Sequence, residues 1–362
     1  MNLAPDAMLN DGLTKQEAAP FRYLDLSGYA FTGKSAVIDL MREFTGYSVA
    51  YFQFEFALLR MQGGIRDLEA ALVEDWSPIR SDAAIRRFRR LVTRLGTTHA
   101  LSSPRSWFLA TGWNYGEYFP GFIERSQAYL RELIDAEWRA DWPYPMGEMG
   151  SLELFARKVA QKLRLPRAMD VRISLAAPTP ARFQEATQRY LADLMQIYTT
   201  GSKVMTTPAN VGVPVRTVVM HNTCEPFNPG KALNYFHNAR SIIVDRDPRD
   251  NYVAGLWYRP TRLPPELFVK RYRLYRELAQ RHRDPPGRVM RLRFEDLVLD
   301  YGKTLPQILE FLGENPAVQV EPRSYFDPAV SAKNVGIWRA HPDQAAIALI
   351  KDALPEFCHD GT

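Results

Sequence analysis

The sequence predicts an α/β fold: a P-loop NTPase-like parallel sheet flanked by helices, with a large helical insertion. Residues 22–26 read as a first strand whose sequence breaks at Ser27-Gly28. Val37, Ile38, Leu40, Met41 and Phe44 then recur at helical spacing, and 48–54 is an aromatic and β-branched run. Between the first strand and the helix lies Gly28-Tyr-Ala-Phe-Thr-Gly33-Lys34-Ser35, which has the spacing G-x-x-x-x-G-K-[ST]. Three further short apolar runs, at 215–220, 241–244 and 289–292, are separated by helical patterns at 231–236 and 265–281.

Taken in order, residues 1–20 are polar, lack sustained periodicity and read as an N-terminal arm. The strand, loop, helix and strand that follow form one crossover unit. Parallel pairing puts the loop and the end of the second strand at one edge of the sheet. Residues 58–210 read as a mainly helical insertion shaping an acceptor site, with patterns at 65–73, 83–95 and 122–138 punctuated by prolines. A last amphipathic pattern covers 305–312. No internal repeat or long linker divides the chain, so 1–362 is expected to be one domain.

Composition narrows the class. A chain of 362 residues, 46% hydrophobic, can bury a large core. No apolar run reaches the roughly 18 residues of a membrane span, and Asp6, Asp11, Lys15 and Glu17 do not suit a secretion signal. A cytoplasmic location is expected. Cys224 and Cys358 are too few for a disulfide framework and lack metal-ligand spacing. The net charge of +5 suits an anionic ligand and is compatible with peripheral membrane contact; no nucleic-acid partner is expected, and the oligomeric state cannot be read.

The loop is the first candidate site. Its glycines let successive backbone N–H groups turn toward an oxyanion, and the helix N-terminus adds partial positive charge. Gly28, Thr32, Gly33, Lys34 and Ser35 are the candidate ligands, and Lys34 brings a full charge. The plain alternative is a glycine-rich turn capped by Ser35. Such a loop serves two chemistries. One is a kinase moving phosphate from Mg-ATP, with Asp245 at the end of the 241–244 run as the metal ligand. The other needs no metal.

Arg246-Asp247-Pro248-Arg249-Asp250 places two guanidinium groups at the strand's C-terminal end, and planar forks suit phosphate oxygens. This segment, the loop, Arg291-Leu-Arg-Phe-Glu-Asp-Leu297 with Leu309-Glu-Phe-Leu-Gly313, and Ser331-Ala-Lys-Asn-Val-Gly-Ile-Trp338 stand in one order. In that order the chain resembles the sulfotransferase family dependent on 3′-phosphoadenosine 5′-phosphosulfate (PAPS), in the style of bacterial carbohydrate sulfotransferases. The resemblance covers about residues 22–56 and 215–340. It implies that the loop holds the 5′-phosphosulfate, that Arg246, Arg249 and Lys333 hold the 3′-phosphate, and that no metal is required. Two positions depart from the family pattern. Phe31 stands where the family has a Lys or Arg, so Lys34 would take that role from the other side of Gly33. Ala254 stands where the family has Ser, so Arg249 and Lys333 would share more of the charge.

Sulfuryl transfer to a hydroxyl needs a base near the loop. Glu55, read as closing the second strand, is the first candidate, and related carbohydrate and tyrosyl-protein sulfotransferases resemble this placement. Phe52, Phe54 and Phe56 flank it; pairing with Arg60 is the structural alternative. His221, after the 215–220 run, is the second candidate, although a lone His there also suits a hydrogen-bonded loop. Arg86, Arg87, Arg89, Arg90 and Arg94 could meet an anionic glycan or lipid headgroup or simply form a solvated face. Glu295 and Asp296 read as helix-capping residues or partners of Arg293. Fold-level analogy makes a carbohydrate, including a lipid-linked glycan, the first expectation for the acceptor.

Overall fold

The computed structural model describes residues 21–50, 54–98, 113–163, 170–201, 204–205, 207–258 and 263–359. The arm at 1–20, Phe52 and parts of the insertion lie outside the described residues. The strands are β1 (Arg22–Gly28), β2 (Tyr47–Ala50), β3 (Ala136–Asp141), β4 (Asp170–Leu175), β5 (Val204–Met205), β6 (Thr217–His221), β7 (Ala239–Asp245) and β8 (Val289–Arg293). The longer helices are α1 (Lys34–Arg42), α2 (Pro78–Gly96), α3 (Phe122–Leu133), α4 (Ser151–Lys162), α5 (Pro180–Thr200), α6 (Pro248–Tyr258), α7 (Pro265–Gln280), α8 (Tyr301–Leu312) and α9 (Gln344–Ala353).

The main sheet has the order β5-β2-β6-β1-β7-β8, with β5 antiparallel to β2 and the other pairs parallel. Leu26 lies opposite His221, Gly28 opposite Val244, and Asp245 opposite Arg293. The loop after β1 and the ends of β6, β7 and β8 therefore share one edge. In a parallel sheet with crossover helices this is where ligands collect.

The sheet is buried on both faces, and its two-residue side-chain period divides the core. Tyr23, Val218 and Met220 join one hydrophobic cluster with Phe88, Leu95, Phe122 and Leu191 of the helical region. Leu24, Leu26, Val219, Ile242 and Val244 join another with Val37 and Leu40 of α1 and Ile308 of α8. Helix starts follow their sequence signals. Ser77 accepts from the Arg80 N–H at 3.2 Å before Pro78, and Thr179 accepts from the Arg182 N–H at 3.2 Å before Pro180.

Two expectations change. The second strand ends at Ala50, so Glu55 sits in the irregular segment beyond it rather than at its last position. The pattern at 122–138 stops as a helix at Leu133, and residues 136–141 pair with β4 as a separate antiparallel two-stranded sheet. All of β3 except Ala140 is exposed, so no burial imposes an alternating pattern by which the sequence could reveal it.

Candidate active site

β1 delivers the loop and α1 receives it. Ala30, Phe31 and Gly33 have φ of 69°, 53° and 79°, a winding that turns the chain tightly before the helix. For Ala30 and Phe31 this costs about 1–2 kcal/mol each, strain of the kind found at ligand-binding loops. Both motif glycines are sterically required. A Cβ on Gly28 would lie 2.5 Å from Thr32 Oγ1 and 2.9 Å from the Val244 carbonyl oxygen, and one on Gly33 would enter the Phe294 ring. Gly33 itself caps α1, without a side-chain bond from Ser35, which is exposed. The first N–H groups of α1 thus point from a nine-residue helix toward the shared edge.

Lys34 is the first residue of α1, and its Nζ lies 3.9 Å from Glu55 Oε1. Burial lowers the pKa of its ammonium, partly offset by Glu55 and Asp25, while Arg60 adds to the lowering. Glu55 Oε2 accepts from Arg60 Nη2 at 2.6 Å, and Oε1 accepts from Asn222 Nδ2. Its backbone is fixed as well. The Tyr115 hydroxyl donates to the Glu55 carbonyl at 3.0 Å and accepts from the Ala57 N–H at 2.7 Å, and the Phe56 N–H bonds the His221 carbonyl at 3.2 Å. Glu55 is thus both paired with Arg60 and held beside Lys34.

His221 is in a different environment. Its ring borders a small apolar cavity with Phe54, Phe56, Phe119, Met195 and Tyr198, and its Nε2 has no hydrogen-bond partner. Burial, with Lys34 and Arg42 nearby, lowers its pKa to about 3, so the ring is neutral at working pH and a weak proton acceptor. The backbone of Asn222, with φ of 47°, turns the chain out of β6 and aims its amide at Glu55.

The arginine segment and the C-terminal landmark are clasped together. Arg246 donates to the carbonyls of Asn334 and Phe31, and its guanidinium lies over the Phe294 ring. Arg249 forks onto Asp247 at 2.6 and 3.0 Å, donates to the His359 carbonyl at 3.2 Å and stacks on Trp338 at 4.2 Å. Asp250 accepts from the Gly336 N–H at 2.7 Å and the Trp338 N–H at 3.2 Å. Lys333 lies in this clasped segment, exposed. Both arginines are therefore at the edge but buried against protein acceptors, so an anion there must replace carbonyl partners. Ala254 is buried in α6, and Phe31 packs against Gly255 of the same helix.

Several residues missed in the sequence support the edge. Asp25, fully buried within β1, accepts from the Ser27 and Ser241 hydroxyls at 2.6 and 2.8 Å and from the Thr223 N–H at 2.8 Å. Burial raises its pKa. Its signal was an acid between Leu24 and Leu26 in a predicted strand. Arg276 lies 3.7 Å from the ring centres of both Tyr29 and Tyr272 and pairs with Asp245, whose carboxylate also accepts from the Arg246 N–H. Asp245 is thus neutralised by a cation, unlike a metal-holding carboxylate. Glu295 accepts from the Asp247 N–H at 2.9 Å and lies 3.7 Å from Arg293. The arginine-rich face of α2 is paired within the fold: Arg87 and Arg90 bond Glu148, and Arg89 bonds Glu137. A separate cavity opens at the opposite end of the strands, beside Arg22, Arg216 and Asn238.

A phosphate-type loop at the C-terminal edge of a parallel sheet, with a lysine and a carboxylate meeting beside it, defines a group-transfer enzyme of the P-loop class. A profile described as "Sulfotransferase family" matches residues 128–316, more than half of the chain, and the chain belongs to that family. It is a PAPS-dependent sulfotransferase, with PAPS as donor and a hydroxyl-bearing acceptor. The matched span includes much of the helical region, where the sequence had offered no resemblance, and β6 through β8 with Arg246 and Arg249. The loop and Glu55 precede it.

Solved structures with some likeness include the sulfotransferase domain from the Synechococcus PCC 7002 olefin synthase, at 16% identity over 92% of this chain and 94% of that one, with a TM-score of 0.37. The sulfotransferase domain from the curacin biosynthetic pathway follows at 13% identity over 93% and 98%, TM-score 0.36. Retinol dehydratase in complex with androsterone and inactive cofactor PAP aligns at 12% identity over 94% and 82%, TM-score 0.33. Likenesses this loose carry no residue correspondence. No curated protein sequence matches the chain.

Proposed function

We propose that this sulfotransferase uses Glu55 to take the proton from its acceptor hydroxyl and Lys34 to neutralise the charge that develops on the leaving bridging oxygen. The observation that carries this reading is the 3.9 Å approach of Lys34 Nζ to Glu55 at the loop edge. PAPS supplies an activated sulfuryl group whose departure leaves a phosphate oxygen. The chain's part is to hold the anion with the loop N–H groups and Thr32, to place a cation at its leaving side, and to hold a carboxylate oxygen beside the incoming hydroxyl. Arg60 and Asn222 orient that carboxylate. Arg246, Arg249 and Lys333 are the proposed 3′-phosphate ligands, which requires the Asn334 and His359 carbonyls to yield. The site fits the donor on its own features: a helix N-terminus, a partly desolvated lysine, and two buried guanidinium groups at one edge.

The acceptor we propose is a carbohydrate, including a lipid-linked glycan, a reading supported by the net charge of +5 and by the helical region that shares a core with the sheet. An apolar alcohol is the second reading, favoured by the aromatic group of Phe54, Tyr115 and Phe119 next to Glu55. We further propose one cytoplasmic enzyme unit, in keeping with Cys224 and Cys358 both remaining thiols.

The direct test is ligand-linked stability. Adenosine 3′,5′-bisphosphate should raise the melting temperature without added magnesium, by more than adenosine 5′-monophosphate does. Equal effects of the two nucleotides would remove the proposed 3′-phosphate site. Radiolabelled sulfuryl transfer to glycan and to apolar alcohol panels then decides the acceptor.

A further inference from the structure

α4 turns its apolar stripe away from the protein. Leu152, Phe155, Ala156 and Val159, with Leu163 just beyond the helix, recur at steps that place them on one face. All are exposed: 86% for Leu152, 66% for Phe155, 39% for Val159 and 64% for Leu163. The helix is held at one flank of the stripe and behind it. Ala160 is its buried residue, and Arg157 donates to the Asp141 carboxylate at 2.5 Å and to the Trp142 carbonyl at 3.1 Å. α2 does the reverse, burying Ile85, Phe88, Val92 and Leu95 and presenting its arginines outward. The turn leading into α4 adds exposed Tyr144 and Met146.

Charge says what covers the stripe. On α4 itself Arg157, Lys158 and Lys162 stand against Glu153; Arg157 is taken up by Asp141, and Lys158 and Lys162 are exposed. On the helix, Lys158 and Lys162 follow Phe155 and Val159 by three positions and border the stripe. A second copy would set like charge against like charge. A surface that is apolar within and anionic at its boundary satisfies both parts. No described helix is long and apolar enough to cross a bilayer, and a 12-residue amphipathic helix with a lysine border suits lying in its surface. We propose that α4 is an interfacial helix that docks the enzyme on membranes rich in anionic lipid.

The full chain should cosediment with vesicles of equal phosphatidylcholine and phosphatidylglycerol, much less with phosphatidylcholine alone, and less as salt rises. Leu152→Ser with Phe155→Ser should lower the partition coefficient at least about tenfold, because two large apolar contacts are lost. Lys158→Glu with Lys162→Glu should abolish the preference for the anionic vesicles. All four side chains are exposed, so each variant should keep the wild-type thermal response to adenosine 3′,5′-bisphosphate, which reports an intact fold independently of the membrane. Wild-type protein that stays in the supernatant with anionic vesicles would overturn the proposal, as would variants that bind like wild type. A wild-type dimer in light scattering that Leu152→Ser with Phe155→Ser converts to a monomer would overturn it in favour of self-association.

Discussion

Glu55 receives hydrogen bonds from Arg60 and Asn222, yet a third of its side chain stays accessible beside Lys34. An ion pair made only for stability would gain little at such exposure. Glu55→Gln retains the shape and one acceptor oxygen but removes the proton acceptor, so turnover should fall about 10²-fold or more while bisphosphate affinity holds. Steady-state kinetics with a calorimetric titration check both parts. Near-normal turnover would leave Glu55 a positioning residue. His221 makes the opposite case. The unfolded chain takes up its proton near pH 6.5, the folded chain only near pH 3, so stability from the neutral ring is lost as pH falls below 6.5. Between pH 6.5 and about 4.5, His221→Asn should lose less stability than wild type, by up to about 1.4 kcal/mol per pH unit. Denaturant titrations across that range measure the difference in slope.

The element that joins the two ends of the site is the segment carrying Lys333, clipped to the start of α6 through Asp250. Asp250→Ala leaves the Gly336 and Trp338 N–H groups without their acceptor and frees the segment. Affinity for adenosine 3′,5′-bisphosphate should drop about tenfold, the effect of losing one or two hydrogen bonds, while affinity for adenosine 5′-monophosphate changes little. Equal losses for both nucleotides would show that the clasp does not serve the 3′-phosphate. The loop is built with less tolerance. Gly33→Ala meets left-handed φ and the Phe294 ring together, so it should cost more than about 1–2 kcal/mol of folding stability in denaturant unfolding.

Across the whole molecule, one hydrophobic cluster runs from β1 and β6 into α2, α3 and α5. The helical region and the sheet should therefore unfold together. Phe88, fully buried in α2 against Tyr129 of α3, provides the test: Phe88→Ala should cost about 3–5 kcal/mol and shift a single transition, with far- and near-ultraviolet circular dichroism coinciding. An early separate transition would mean that the insertion folds on its own.

What the sequence determined by itself was local and periodic. The loop spacing, the strand runs of β1, β6, β7 and β8, and the helix at 34–42 are each set by neighbours within a few residues, and each stands where it was expected. The order of four landmarks was also enough for the family. Tertiary structure decided the rest. Glu55 and Lys34 are 21 positions apart and meet through the crossover from β1, while His221, next to Asn222 in sequence, faces an apolar cavity because β6 ends there. Arg246 and Arg249 look like open anion ligands until Asn334 and His359, more than 80 residues away, are seen to occupy them. The β3–β4 pair left no period because its first strand is exposed, and the stripe of α4 had the ordinary period of a core helix. Pattern fixes which residues share a face; only packing decides whether that face turns toward the protein or away from it.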